Sequence, residues 1–158
     1  MYNGNSNLDL TSLLRRQAQA QADIVGNESH PNLKGTVRFY QSQYGVIVVS
    51  SIAGLPSNDG IFAFHIHEGN SCTGNTSDPF ANAGTHYNPM LRPHPYHAGD
   101  MPPLFSSNGY AFSAFLTNRF TVNEIIGKTV IIHSSVDDFT TQPSGNSGTK
   151  IACGVIIE

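Results

Sequence analysis

Apolar and polar positions along this chain mostly alternate rather than recur every third or fourth residue. From Gln17 to Val25, QAQAQADIV sets Ala18, Ala20, Ala22 and Ile24 on one side, the period-two pattern of a half-buried strand. Ala and Gln favour helices, but the period is taken over the propensity and a strand is expected. NESHPN breaks that segment. GTVRFYQ and GVIVVSSI are rich in β-branched and aromatic residues and flank QSQYG, so they predict a hairpin. After the turn LPSNDG, IFAFHIH predicts one further strand. GYAFSAFLTNRF, KTVIIHS and IACGVIIE continue the series, and no segment reads as a clear helix. Many short strands with turn punctuation predict an antiparallel sandwich or barrel.

Two stretches interrupt this pattern. The first runs from about Glu68 to Asn108 and is dense in Gly, Pro, Asn and Ser; the second is SVDDFTTQPSGNSGT. Loops of this length inside a compact domain are uncommon unless they carry function or are disordered. Residues 1–16 read as a polar N-terminal extension, with disorder as the expectation, and residues 17–158 as one domain.

Composition narrows the function classes. Charged residues make up 12% of the 158, and the formal net charge is −3. That gives no basic footprint for nucleic acid and no attraction to an anionic membrane surface. No apolar run reaches the length of a membrane-spanning helix. MYNGNSNLDLTSLLRR lacks a basic segment followed by a long apolar one. The compartment therefore stays open between the cytoplasm and export with a leader already removed.

Chemistry concentrates in the histidines. The chain has seven, and all but His30 fall in or beside the two loops: His65, His67, His86, His94, His97 and His133. In a strand, residues i and i+2 share a face, so His65 and His67 project together. His94 and His97 are three apart, with Asp100 three further on. A single strand histidine is more often an ordinary core or surface group; six gathered in a chain this poor in charge point to metal. Six histidines and Asp100 make seven candidate ligands. Two four-coordinate ions need eight positions, which one imidazole bridging through both nitrogens would supply. An all-imidazole set suits copper and a His-carboxylate set suits zinc; zinc has no redox change to offer. Cys72 and Cys153 are too few for a thiolate site, and counting alone leaves them as a disulfide or as two buried thiols.

FHIHE, the following Cys72, GTHYNP, HAGD, VIIH and GNSGTKIACGV resemble, in order and approximate spacing, the copper/zinc superoxide dismutases. The resemblance covers roughly Gln17 to the end. It implies an eight-stranded antiparallel Greek-key β-sandwich or barrel with two long functional loops. It also implies dismutation of superoxide to dioxygen and hydrogen peroxide, with one copper and one zinc per chain. By the same resemblance, His65, His67, His86 and His133 are the copper ligands, and His86, His94, His97 and Asp100 the zinc ligands, His86 bridging. Asp137 matches the carboxylate that links the two sites, with Asp138 beside it as rival, and Cys72–Cys153 matches the disulfide. Superoxide would be the substrate; a homodimer and a copper-delivering partner protein are further expectations. One departure stands out. Where the family has an arginine just before ACGV, this chain has Lys150, which keeps the cation but loses the planar two-pronged donor. Lys150 and His86 are the residues expected in catalysis, with weaker steering of the anion than an arginine gives. The competing expectation is a copper/zinc-binding protein with little or no catalysis, serving metal storage or buffering.

Overall fold

The computed structural model describes residues 11–12 and 15–158; the expected N-terminal extension lies mostly outside the described residues. The strands are β1 Ala20–Gly26, β2 Lys34–Ser42, β3 Gly45–Ala53, β4 Ile61–Phe62, β5 Phe64–His67, β6 Leu104–Phe105, β7 Tyr110–Thr117, β8 Thr129–His133 and β9 Lys150–Ile157. Seven join one sheet in the order β5-β8-β9-β1-β2-β3-β7, and β4 pairs with β6 apart from it. Every pairing is antiparallel. Side chains from both ends of the large sheet, Phe64 and Ile66 on β5 and Ala111 on β7, belong to one buried cluster. The sheet must therefore curl around that core.

Alternation works as expected in β1, where Ala20, Ala22 and Ile24 are buried. Ala18 precedes the strand and is half-buried against Tyr40 and Ile47 instead. The β2–β3 register pairs Ser42 with Gly45 and leaves Gln43 and Tyr44 as the turn. Gly45 has φ 130°, and a Cβ there would run into the Thr117 carbonyl. Only glycine closes this turn without strain.

The expected strand IFAFHIH divides at Ala63. β4 pairs with β6, whereas β5 pairs with β8. The Ala63 N–H donates to the Ser135 carbonyl at 2.9 Å and its own carbonyl accepts from His133 at 3.0 Å, so no backbone group is stranded at the break. β4 and β5 together thus occupy the place of one expected strand, and β6 emerges inside the stretch read as irregular. A second difference is helical. One turn of α-helix, α1, spans Val122–Ile125, and a 3-10 turn spans Ala81–Ala83. The Thr121 backbone N–H and hydroxyl both donate to Glu124, at 2.6 and 2.7 Å. Thr-x-x-Glu is the sequence sign of such a start. Among the described residues no helix is long and apolar enough to cross a membrane.

β5 and β8 are buried throughout. Phe64, Ile66, Val130 and Ile132 enter the main core. On the opposite face Ile131 packs with Cys153, Phe80 and Ala83 beneath the first loop. There the Cys72 and Cys153 sulfurs are bonded, with Cα atoms 5.6 Å apart and a sequence separation of 81. Closing so long a loop restricts the unfolded chain. Replacing both cysteines by serine is expected to lower the unfolding free energy of the metal-free protein by about 2–5 kcal/mol, read from urea midpoints at constant slope; an unchanged midpoint would contradict it.

Candidate metal centre

β5 is the edge of the large sheet, and its outer backbone groups are paired by the first loop. Ile66 N–H donates to Gly99, Tyr87 N–H to Ile66, and Met101 N–H to Phe64, at 2.9, 2.8 and 3.3 Å. This pairing sets Asp100 opposite His65 and His86 opposite His67. On the other side of β5, β8 ends in a bulge that pairs His133 with Lys150. Bulges of this kind re-aim a side chain.

Two groups of four result: His65, His67, His86 and His133, and His86, His94, His97 and Asp100. Within each group the candidate ligand atoms all lie within 4.8 Å of one another. All seven of these side chains are buried, with exposures of 0–8%. The second ring nitrogens of four of them are occupied by acceptors. His65 Nε2 and His94 Nε2 lie 2.7 and 2.8 Å from the two oxygens of Asp137. His67 Nδ1 meets the Gly84 carbonyl at 2.8 Å and His133 Nδ1 meets Gly148 at 3.4 Å. Carbonyls and carboxylates only accept, so these ring nitrogens carry the protons and the opposite nitrogens carry lone pairs.

The lone pairs converge. His67 Nε2 and His133 Nε2 are 3.2 Å apart; His86 Nδ1 lies 3.3 Å from His97 Nδ1 and donates to Asp100 Oδ1 at 2.7 Å. His97 Nδ1 lies 3.4 Å from Asp100 Oδ1. Two ligands on a tetrahedral zinc at its usual bond lengths stand about 3.3 Å apart. His65 Nδ1, His86 Nε2 and His94 Nδ1 are buried without a hydrogen-bond partner. His94 Nδ1 does approach Asp100 Oδ2 to 3.1 Å, but not in hydrogen-bonding geometry. Buried polar atoms normally find partners; lone pairs left this way suit metal ions.

Charge points the same way. Burial pushes the pKa of His65, His67, His97 and His133 down, with neighbouring imidazoles adding to the fall in His67; His133 drops to about 3. These rings are neutral near pH 7. Burial opposes ionisation of Asp100 and Asp137, but hydrogen bonds from His86 to the first, and from His65, the Phe139 N–H and His94 to the second, outweigh it. Both carboxyls fall below their ordinary range, Asp137 to about 2. Two buried carboxylates beside rings such as His65 and His97, which burial drives toward the neutral form, are a costly state that metal ions would relieve.

Asp137 ties the loops together, while its rival Asp138 is exposed and caps the turn at Thr140 and Thr141. Gly145, at φ 69°, lies so close that a Cβ would overlap Asp137 Oδ1 and His94 Nε2. Gln142 adds a second tie, accepting from His94 N–H at 2.9 Å and donating to its carbonyl at 2.7 Å. Arg119 Nη1 donates to the carbonyls of Pro95, His97 and Asp100 at 2.9, 3.2 and 3.3 Å, holding the turn that carries two of the ligands. The sequence gives no sign of the Gln142 or Arg119 contacts, because both span long separations.

A cavity of about 780 Å³ opens over His67, His86 and His133, with Lys150 and His30 in its lining. Lys150 Nζ makes an ion pair with Asp78 at 2.7 Å and donates to the Phe80 carbonyl at 3.2 Å.

His133 binds no proton in the folded protein until about pH 3, while an unfolded histidine does so near 6.5. Its depressed pKa contributes stability in full above 6.5 and loses it as pH falls towards 3. The metal-free protein is therefore expected to lose thermal stability steadily from pH 7 to 4, and His133→Gln to flatten that slope. Parallel melting curves for the two proteins across this range would refute the linkage.

A family model described as copper/zinc superoxide dismutase (SODC) matches residues 33–156. Superoxide dismutase [Cu-Zn] 2 of Aquifex aeolicus is 31% identical over 162 residues, covering 93% of this chain and 91% of its own. Superoxide dismutase [Cu-Zn] of Legionella pneumophila is 36% identical over 143 residues, covering 85% of each. Among solved structures, the Cu/Zn superoxide dismutase from Brucella abortus superposes with a TM-score of 0.75 at 25% identity, over 89% of this chain and 100% of that one. The clock protein EA4 superposes with a TM-score of 0.74 at 28% identity, over 89% and 95%. With the family match, the curled antiparallel sheet and the two histidine groups in agreement, this chain belongs to the copper/zinc superoxide dismutase family.

Proposed function

We propose that residues 17–158 form one catalytic domain that dismutates superoxide to dioxygen and hydrogen peroxide. The observation that carries this is the set of buried lone pairs without partners, His65 Nδ1 and His86 Nε2, beside the facing Nε2 atoms of His67 and His133 under an open cavity. In this reading His65, His67, His86 and His133 hold copper, and His86, His94, His97 and Asp100 hold zinc, one ion of each per chain. Copper held there would supply the reversible one-electron chemistry that converts two superoxide anions and two protons into dioxygen and hydrogen peroxide.

The chain's own residues do the rest. Asp137 fixes the tautomers of His65 and His94 and so aims both lone pairs inward. His86 directs Nδ1 to Asp100 and His97, which leaves Nε2 facing the first group, where it can hold a proton for the departing peroxide only when it is not bound to an ion. Lys150 attracts the anion into the cavity as a point charge. A homodimer and a copper-delivering partner protein belong to the same proposal. The Lys150–Asp78 pair favours a second reading, a metal-storing or buffering protein with little catalysis.

Protein loaded with one copper and one zinc is expected to accelerate superoxide decay far beyond buffer. Decay no faster than buffer, with both metals measured on the protein, leaves the storage reading. His65→Ala is expected to lose copper and keep zinc, and Asp100→Ala to weaken zinc first, by at least about tenfold. Metal analysis without that split would overturn the ligand assignment.

A further inference from the structure

We propose that Asp78 is an anion-gating residue: its carboxylate holds the Lys150 ammonium and lowers the capture of small anions, superoxide included, by the cavity. The inference rests on the role given to Lys150 above.

Among the described residues, Lys150 is the one lysine or arginine lining the cavity; two carboxylates, Asp78 and Glu68, line it too, with His30. The Asp78–Lys150 pair is half-buried, with side-chain exposures of 38% for the acid and 15% for the lysine. The more exposed member is the acid, so an entering anion is repelled before the ammonium can attract it. Lys150 pairs with His133 across β8 and β9, and both residues line the cavity. A free ammonium at this position would act on the cavity floor; paired, most of its field is cancelled.

Asp78 is also built in rather than casually placed. Its Oδ1 accepts the Phe80 N–H at 3.1 Å, and its own N–H donates to Asn75 Oδ1 at 3.0 Å. Its carbonyl accepts from Asn75 and Ala81 at 2.9 and 3.1 Å. The disulfide from Cys72 to Cys153 secures this segment to β9, three residues beyond Lys150. An exposed ion pair on two mobile side chains does little. Here both partners are fixed by backbone contacts: Lys150 also donates to Phe80, the residue whose N–H holds the acid.

Asp78→Asn keeps Oδ1 for the Phe80 N–H and removes the charge. In the copper- and zinc-loaded protein its second-order rate with superoxide is expected to rise about two- to tenfold at 10 mM ionic strength, and to converge on the parent's by about 0.5 M, where screening is nearly complete. Azide, followed through the visible absorption of bound copper, is expected to bind tighter by a similar factor at low salt. An unchanged or lower rate with unchanged azide affinity, at equal metal content, overturns the proposal. Lys150→Gln separates the layers. If it leaves the rate unaltered, the role of Lys150 itself fails; if it slows the enzyme and Asp78→Asn does not accelerate it, only the gating fails. An undiminished gain from Asp78→Asn in the Lys150→Gln background also overturns it, because the acid would then act without the lysine.

Discussion

The unpaired edge of β5 is the constraint on which this molecule turns. A buried strand cannot leave its outer N–H and carbonyl groups without partners. The first loop supplies them through Gly99, Tyr87 and Met101. Because the pairing follows strand register, it sets the positions of His86 and Asp100 against His65 and His67. Sheet hydrogen bonding, a generic backbone demand, thus places ligands contributed by a strand and by a loop. The disulfide serves the same end from the other side of the loop, where Phe80 and Ala83 pack on Ile131 and Cys153.

The centre itself is costly for the bare polypeptide. Asp100 and Asp137 are ionised beside His97 and His65, rings that burial drives toward the neutral form. Hydrogen bonds to Asp137 and to the Gly84 and Gly148 carbonyls then turn the lone pairs inward rather than toward one another's protons. Stability has been traded for a cluster of donors held in one orientation. Long segments are restrained at few points: Asp137, Gln142 and Arg119 are the side chains that hold His94, His97 and Asp100 in place.

Local pattern carried much of this. The i, i+2 spacing of His65 and His67 put them on one face, and alternation gave β1, the β2–β3 hairpin and the closing strand. What stayed hidden was non-local. Nothing in IFAFHIH marks Ala63 as the point where the chain leaves one sheet for another, since both halves have the same apolar character and only the partners β6 and β8 differ. The α1 turn was legible in Thr121-x-x-Glu124 but too short to show periodicity. Asp78 could not be matched with Lys150 from sequence, because 72 residues and a loop of irregular path separate them. Asp137 and Asp138 are adjacent carboxylates, distinguished only by which of them the folded loop turns toward His65.

His86 belongs to both groups of four. Its Nδ1 faces Asp100 and His97, leaving Nε2 for the other group. An ion at one nitrogen withdraws electron density from the ring and alters the basicity of the other. Occupancies sharing such a ring cannot be independent. By thermodynamic reciprocity, whatever factor filling the first site imposes on the second is imposed equally in return. A titration of either metal alone therefore reports a constant that belongs to half of the centre, and the complete description needs the coupling as a quantity of its own.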